Sequence, residues 1–261
     1  MRHHEPVIFK KAPSTLPEML DYLRLPVSLE THEQALAAAG KDNLSHEEFL
    51  KRFLSCEVAA KFERQINARL RDARFPAVKT LDGFDWAHPT VIPKAKILEI
   101  FELRFLEKNE GLVFIASHGL GKTHLALALG HRAARAGVKT LFTKAVDMVN
   151  HLQASQADHS QRKTLRLYTN PTLLIIDELG RLSMDQKQGE YFFQVIDARY
   201  ERGSTVITTN RAFRDWGQIF QDKILAKGII DRLVHHSDVI KIEGTSYRLK
   251  DRKTKSLIDS E

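Results

Sequence analysis

The feature that most constrains the fold is a glycine-rich stretch that follows a short apolar run and precedes a helical pattern. It reads Ala-Ser-His-Gly-Leu-Gly-Lys-Thr over residues 116–123, and the apolar run before it covers residues 112–115. Glycines let backbone N–H groups surround phosphate oxygens, and the start of a helix adds unpaired N–H groups and the positive end of the helix dipole. Strand, glycine loop and helix in this order predict a phosphate-binding P-loop.

Each residue of this loop has an expected role. Lys122 is expected to reach the β- and γ-phosphates of ATP, and the hydroxyl of Thr123 is expected to hold Mg²⁺. Ala116 occupies the place of the first glycine of the pattern, which leaves a reshaped loop or a defective site open. The further nucleotide contacts are predicted at Ser117, His118, Gly119, Leu120, Gly121, Lys122, Thr123 and His124.

Downstream of this loop, short apolar runs alternate with helical patterns. Continuous apolar runs indicate strands that are buried on both faces, and their alternation with helices indicates a parallel sheet. The pattern therefore predicts an α/β sandwich built around the P-loop. The runs are residues 112–115, 140–142, 173–176, 205–207 and 239–242.

Polar residues follow the third and fourth of these runs, at the strand ends where open α/β sheets bind ligands. Asp177 is expected to hold Mg²⁺, directly or through water, and Glu178 to orient or deprotonate the attacking water. Asn210 is predicted to hold that water beside the γ-phosphate, although a strand that ends in Asn is commonly only structural. A glutamate in this place favours hydrolysis over transfer to a small molecule.

Two arginines complete the predicted catalytic set. Arg232, near the end of a helical pattern, is predicted to stabilise transition-state charge at the nucleotide of a neighbouring subunit, which requires an oligomer with sites between subunits. The alternative is a local contact with Asp231 that has little effect. Arg248 is expected to reach the nucleotide of its own subunit, or else to be an ordinary tail residue.

The chain before the P-loop predicts a small helical domain. Ser45 has the N-cap position of a capping box that opens a long helix, and Gly40 is expected to end the helical pattern before it. Phe84 and Trp86 lie in a segment rich in Pro and Gly, where they either approach the nucleotide base or only hold the linker down. The predicted organisation is a helical domain over residues 1–75, a linker over 76–93 and the ATPase domain over 94–261.

Charge and cysteine content limit the partners and the compartment. Lys and Arg total 40 against 33 Asp and Glu, a net charge of +7 that mildly favours a polyanion such as nucleic acid. The polar segment before the third apolar run carries Arg162, Lys163 and Arg166, which predict contacts to DNA phosphates or, alternatively, a solvated crossover helix.

Cys56, the only cysteine, allows no intramolecular disulfide and is expected in the core. A cytoplasmic protein without a membrane span is predicted.

Four motifs in one order resemble the IstB-like transposition helper ATPases, which are AAA+ proteins of the initiator and helicase-loader group. The motifs are residues 119–126, 174–180, 207–210 and 231–233, and the resemblance covers about residues 90–250. It implies a three-layer AAA+ core without a large C-terminal lid, ATP-dependent self-assembly on double-stranded DNA, and delivery of a DNA target to a partner transposase. It also implies that the basic segment 159–167 is the extra helix that this group inserts between its nucleotide motifs.

Three alternatives stay open at this point. A DnaC-type helicase loader has the same fold and binds single-stranded DNA and a replicative helicase, but few aromatic residues interleave with the basic ones. A metabolic P-loop kinase conflicts with Asp177-Glu178, Asn210 and Arg232. A DNA-binding assembly protein with a purely structural nucleotide is the third alternative, if Ala116 weakens turnover.

Overall fold

The chain folds around a five-stranded sheet in which all strands run parallel. The structure is a computed structural model that describes residues 12–157 and 159–247. The spatial order of the strands is β2-β3-β4-β1-β5. Each strand contains one of the five predicted apolar runs, so the parallel α/β sandwich is confirmed. The strands are β1 (Gly111–Ala116), β2 (Thr140–Lys144), β3 (Leu173–Leu179), β4 (Ser204–Thr209) and β5 (Ser237–Ile242).

Helices precede the sheet and connect its strands. The connection from β2 to β3 contains two helices, of which the second carries the predicted DNA-contacting residues. Two short 3₁₀ segments lie at Arg104–Leu106 and Phe213–Asp215. The α-helices of the described residues are α1 (Leu16–Tyr22), α2 (Pro26–Asp42), α3 (His46–Asp72), α4 (Lys94–Ile100), α5 (Lys122–Arg135), α6 (Ala145–Ala154), α7 (Gln161–Thr169), α8 (Gln186–Arg199), α9 (Trp216–Phe220) and α10 (Lys223–His235).

Two hydrophobic clusters, one on each face of the sheet, give the three-layer sandwich. Successive residues of a strand point to opposite faces, so Leu173 and Ile175 belong to one cluster while Leu174 and Ile176 belong to the other. The first cluster includes α4 and α5, and the second includes α6, α8, α9 and α10. Because both faces of β3 are covered, its apolar run needs no polar alternation.

A buried arginine joins the last turn of α7 to the start of two strands. Arg199 is 2% exposed, and burial lowers the pKa of its guanidinium to about 10, so it stays charged at neutral pH. No carboxylate of the described residues pairs with it. Its acceptors are five backbone carbonyls and one hydroxyl, namely Tyr168 O, Thr169 O, Pro171 O, Thr172 O, Ser204 O and Thr205 Oγ1.

The chain divides into two compact units between Asn67 and Ala68, inside α3. In the second unit, the backbone N–H of Phe142 on β2 donates to the carbonyl of Ala73 (2.8 Å). Val91 forms an antiparallel bridge with Glu243 in the same unit. The boundaries predicted at residues 75 and 93 stay a prediction.

The first unit confirms one local prediction and corrects two. The Ser45 hydroxyl accepts from the N–H of Glu48 (3.2 Å) while the Glu48 carboxylate accepts from the Ser45 N–H (3.2 Å), which is the predicted capping box. Gly40 does not end a helix, because α2 continues to Asp42 and ends at Asn43 with φ of 48°. Cys56 is exposed rather than in the core. Among the helices that the structure describes, none is long and apolar enough to cross a membrane.

Candidate nucleotide-binding site

A cavity of about 550 Å³ lies at the carboxyl ends of β1, β3 and β4. This is the edge at which open parallel sheets bind ligands, because loops and helix N-termini converge there. The volume and position suit a nucleotide. The lining residues are 118–124 of the P-loop, Leu127, Glu178, Arg181, 208–210, Tyr247 and, from the segment before α4, Lys79, Gly83, Phe84, Asp85, His88 and Pro89.

The P-loop has the backbone that its glycines predict. Gly119 and Gly121 have φ of 79° and 84°, a region that favours glycine. A Cβ on Gly121 would lie 2.5 Å from Cε2 of Phe84, and one on Gly119 would collide with Ser246. No side chain caps the N-terminus of α5, which begins at Lys122, and the N–H groups and dipole of such a helix start attract anions.

Ala116 fits its position without strain. It is the last residue of β1, is buried, and does not have a positive φ. The backbone at this position therefore does not require glycine, and alanine adopts it without strain. The loop instead turns at its two later glycines. The Lys122 ammonium group donates to the carbonyl of Ser117 (2.7 Å), which places this cation across the loop where phosphates are predicted.

Hydroxyl groups from two elements meet on one buried carboxylate. Asp177 is 3% exposed, and its Oδ1 accepts from Thr123 Oγ1 (2.9 Å) and from Thr208 Oγ1 (2.5 Å). Carboxylate and hydroxyl oxygens are ligands that suit Mg²⁺, which usually completes its shell with phosphate and water. The described residues contain no group of three or more His, Cys, Asp or Glu able to hold a metal by themselves. The donor set therefore fits a Mg²⁺ that is bound together with the nucleotide.

The Glu178 carboxylate faces the cavity and two cations. Arg181 Nη1 donates to both of its oxygens (2.9 Å each), and Lys144 Nζ lies 3.2 Å from Oε2. Burial raises the pKa of Glu178, but the hydrogen bonds from Arg181 and Lys144 outweigh it and keep the pKa below its ordinary value. Its backbone is in the left-handed region (φ 59°), and its N–H donates to Thr208 Oγ1 (3.0 Å). The carboxylate is thus an ionised acceptor at the cavity wall.

Asn210 lines the cavity beside the P-loop. It follows β4, and its Nδ2 forms a hydrogen bond of 3.1 Å with Nε2 of His118. The preceding Thr209 is fixed by donation from Oγ1 to the carbonyl of Leu179 (2.8 Å). An amide held between β3 and the P-loop is well placed for the predicted contact with water, and this role stays a prediction.

The predicted arginines do not both enter this cavity. Arg232 lies on α10, where Nε donates to Asp197 (2.7 Å), Nη1 donates to Gly228 O (3.2 Å), and the guanidinium lies 4.6 Å from the ring centre of Phe193. It does not line the nucleotide cavity of its own chain. Arg248 lies outside the described residues. Arg232 therefore lies away from the nucleotide cavity of its own chain, as a contact with the nucleotide of a neighbouring subunit requires. That contact stays a prediction.

The predicted DNA-contacting residues lie on one helix. Arg162, Lys163 and Arg166 are all exposed on α7, away from the lining of the nucleotide cavity. The prediction of a separate basic helix between the two nucleotide motifs agrees with this placement, and the DNA contact itself stays a prediction.

Three residues of the site were missed in the sequence. Thr208 belongs to the polar triplet 208–210 at the end of β4, in which the sequence predicted a role only for Asn210. The two threonines before Asn210 were a signal for further polar contacts at this strand end. Arg181 lies three residues after Glu178, the spacing of a local pair. Lys144 had no local signal, because its approach to Glu178 depends on β2 pairing with β3.

Fold and site together define a P-loop nucleotide-binding protein built on a parallel α/β sheet. Residues 18–255 match the family described as IstB-like ATP-binding proteins, and the chain belongs to this family.

Relatives and solved structures agree with this assignment. The chain is 38% identical over 231 residues to a protein named for ATP binding in insertion sequence IS5376 of Geobacillus stearothermophilus, covering 88% of this chain and 92% of the relative. It is 37% identical over 221 residues to the corresponding protein of IS21 from Pseudomonas aeruginosa, covering 85% and 83%. In fold it is similar to DnaI (TM-score 0.56, 21% identity, 66% of this chain and 93% of that one) and to the DnaC helicase loader (TM-score 0.53, 24%, 63% and 96%).

Proposed function

We propose that this protein is an ATPase that assembles on double-stranded DNA when ATP is bound and helps a transposase to select and activate its target. The observation that carries the ATPase part is the meeting of Thr123, Asp177 and Thr208, with hydroxyl–carboxylate distances of 2.9 and 2.5 Å, beside the uncapped start of α5. This arrangement suits a Mg²⁺–triphosphate.

In this proposal each side chain has one task. Lys122 and the N–H groups of α5 neutralise the β- and γ-phosphates, while Thr123 and Asp177 hold Mg²⁺, which would supply charge neutralisation of the phosphates when bound. Glu178 accepts a proton from the attacking water, and Asn210 orients that water.

Arg232 of one subunit acts at the nucleotide of the next. Its position on α10 and its absence from the lining of its own cavity support this role. Transition-state charge on the γ-phosphate is then stabilised only in an assembly, so hydrolysis is coupled to oligomer formation. Arg248 is proposed as the contact to the nucleotide of its own subunit.

The DNA and transposase parts rest on the family and on charge. The relatives are named as proteins of insertion sequences, which move by transposition. Arg162, Lys163 and Arg166 on α7 supply exposed cations for phosphate contacts.

The test compares binding of the full chain to duplex and single-stranded DNA of several lengths, with no nucleotide, with ADP and with a slowly hydrolysed ATP analogue. Tight binding to long duplexes only with the ATP analogue supports the proposal. A preference for single strands favours a helicase loader instead, and no DNA binding in any state refutes both. The transposase part is tested separately by strand transfer with a cognate transposase, which this chain should stimulate only with ATP.

A further inference from the structure

A basic groove of about 930 Å³ lies at the amino end of β2, whereas the nucleotide cavity lies at the carboxyl ends of the strands. The end of α3, the start of β2 and one side of α7 form its walls, and all of its lining residues belong to the unit that begins at Ala68. Asp72 is the one carboxylate among the described residues that line the groove. Six lining side chains, called the groove cations below, are Arg69, Arg71, Arg74, Lys139, Lys163 and Arg166.

The walls of the groove are held by hydrogen bonds. The carbonyl of Ala73, just after α3, accepts from the N–H of Phe142 on β2 (2.8 Å). Arg199 donates to the carbonyl of Tyr168 in the last turn of α7 (3.1 Å), which fixes that helix to the sheet. The three elements are therefore joined within one unit, and the groove cations extend from backbone segments that are tied to each other.

No carboxylate of the residues that the structure describes pairs with a groove cation. Six like charges around one groove repel each other, and a polyanion removes that repulsion and releases its own counterions. The exposed Asn170 adds a neutral polar group of the kind that contacts phosphate oxygens.

We propose that this groove binds the phosphate backbone of double-stranded DNA. The proposal deepens the proposed function and rests on it, because it names the surface by which the assembled protein holds duplex DNA. Duplex is favoured over single strands because no Phe, Tyr or Trp is among the described residues that line the groove, so unpaired bases find no stacking platform there. Two basic segments that are far apart in the sequence thus form a single track.

The experiment uses one substitution from each wall. The groove variant carries Arg71→Gln, Lys139→Gln and Arg166→Gln, all at exposed positions. The control variant removes the same charge elsewhere, with Lys187→Gln, Arg202→Gln and Lys227→Gln, also at exposed positions that do not line the groove. Duplex and single-strand binding of the full chain are measured over a salt series with ADP and with the ATP analogue.

The groove variant is expected to bind duplex more weakly by on the order of 100-fold at low salt, and its salt slope to fall by about 2.7, from about 0.9 for each lost phosphate contact. The control variant should keep the wild-type slope. Equal behaviour of the two variants, with wild-type binding still dependent on ATP, refutes the groove and leaves the proposed function standing. If the groove variant loses duplex binding but wild-type binding is the same with ADP and with the ATP analogue, the groove is supported and ATP-coupled assembly is refuted.

Two further outcomes would overturn the proposal in other ways. If the groove variant loses only single-strand binding, the groove holds single strands. If it loses self-association without DNA while its duplex salt slope is unchanged, the groove holds an acidic face of a second copy. A measurement on the wild-type chain does not depend on variant folding: duplex DNA should protect Lys139 and Lys163 from acylation but leave Lys187 and Lys227 reactive, and equal reactivity of all four would refute the groove.

Discussion

Replacing Arg199 with Met should destabilise the unit that begins at Ala68 more than any comparable surface change. Methionine keeps the apolar stem and a similar volume but removes the guanidinium. The three shortest of its hydrogen bonds reach Pro171 O (2.7 Å), Ser204 O (2.6 Å) and Thr205 Oγ1 (3.0 Å). The residues that supply these oxygens are themselves buried.

The magnitude follows from the acceptors that are left unpaired. A buried acceptor without a partner costs about 1–3 kcal/mol. The low end applies here, because removing a buried charge also removes its desolvation cost. Three acceptors at about 1 kcal/mol each give a loss of about 3 kcal/mol in the free energy of unfolding. For a unit of this size that corresponds to a fall in Tm of about 6–12 °C.

Tryptophan fluorescence during urea unfolding measures this loss in the compact unit that contains Arg199. Trp86 and Trp216, the only two tryptophans, both lie in the unit that begins at Ala68. Arg202→Met is the matched control, since Arg202 is an exposed arginine three residues later and should change stability by less than about 0.5 kcal/mol. A loss below about 1 kcal/mol for Arg199→Met would refute the reasoning, because water would then satisfy the same carbonyls.

Four further predictions concern the nucleotide site. Glu178→Gln should bind ATP with normal affinity, slow hydrolysis at least 100-fold and trap the assembled form, as measured by phosphate release and light scattering; full turnover would exclude it as the base. Arg181→Ala removes hydrogen bonds that lower the pKa of Glu178, so that pKa should rise and the acid limb of the pH–rate profile, where activity falls as the base is protonated, should move to higher pH; an unmoved limb contradicts the pairing. Gly121→Ala forces a side chain into a positive φ and against Phe84, so titration with a fluorescent nucleotide should show at least tenfold weaker binding, and unchanged affinity would show that the loop tolerates a Cβ. Arg232→Ala should bind ATP normally yet lose DNA-stimulated hydrolysis, and normal stimulation would remove the site between subunits.

The nucleotide motifs were predictable because their signals are local. A glycine at positive φ, an uncapped helix start and a pair of acids after an apolar run are each readable within a few residues. The sequence also identified all five strands, since a run buried on both faces is apolar throughout. The expected helix stop at Gly40 was wrong because a glycine lowers helix stability only slightly, and α2 continues for two residues beyond it.

The tertiary structure alone decided which of these local features meet. The strand order places β4 between β1 and β3, and this brings Thr208 onto Asp177 and Asn210 toward the P-loop. The pairing of β2 with β3 likewise brings Lys144 to Glu178.

The basic groove likewise combines segments that the sequence shows separately and that only the folded chain brings together. By itself, the sequence determined that residues 69–74 and 162–166 are rich in cations. Only the packed chain showed that they line one groove with Lys139, and that Arg199 is buried against carbonyls from three segments. The reason is physical: local propensity acts over a few residues, whereas contacts between distant segments are chosen by which buried faces pack together and which polar groups must then be satisfied.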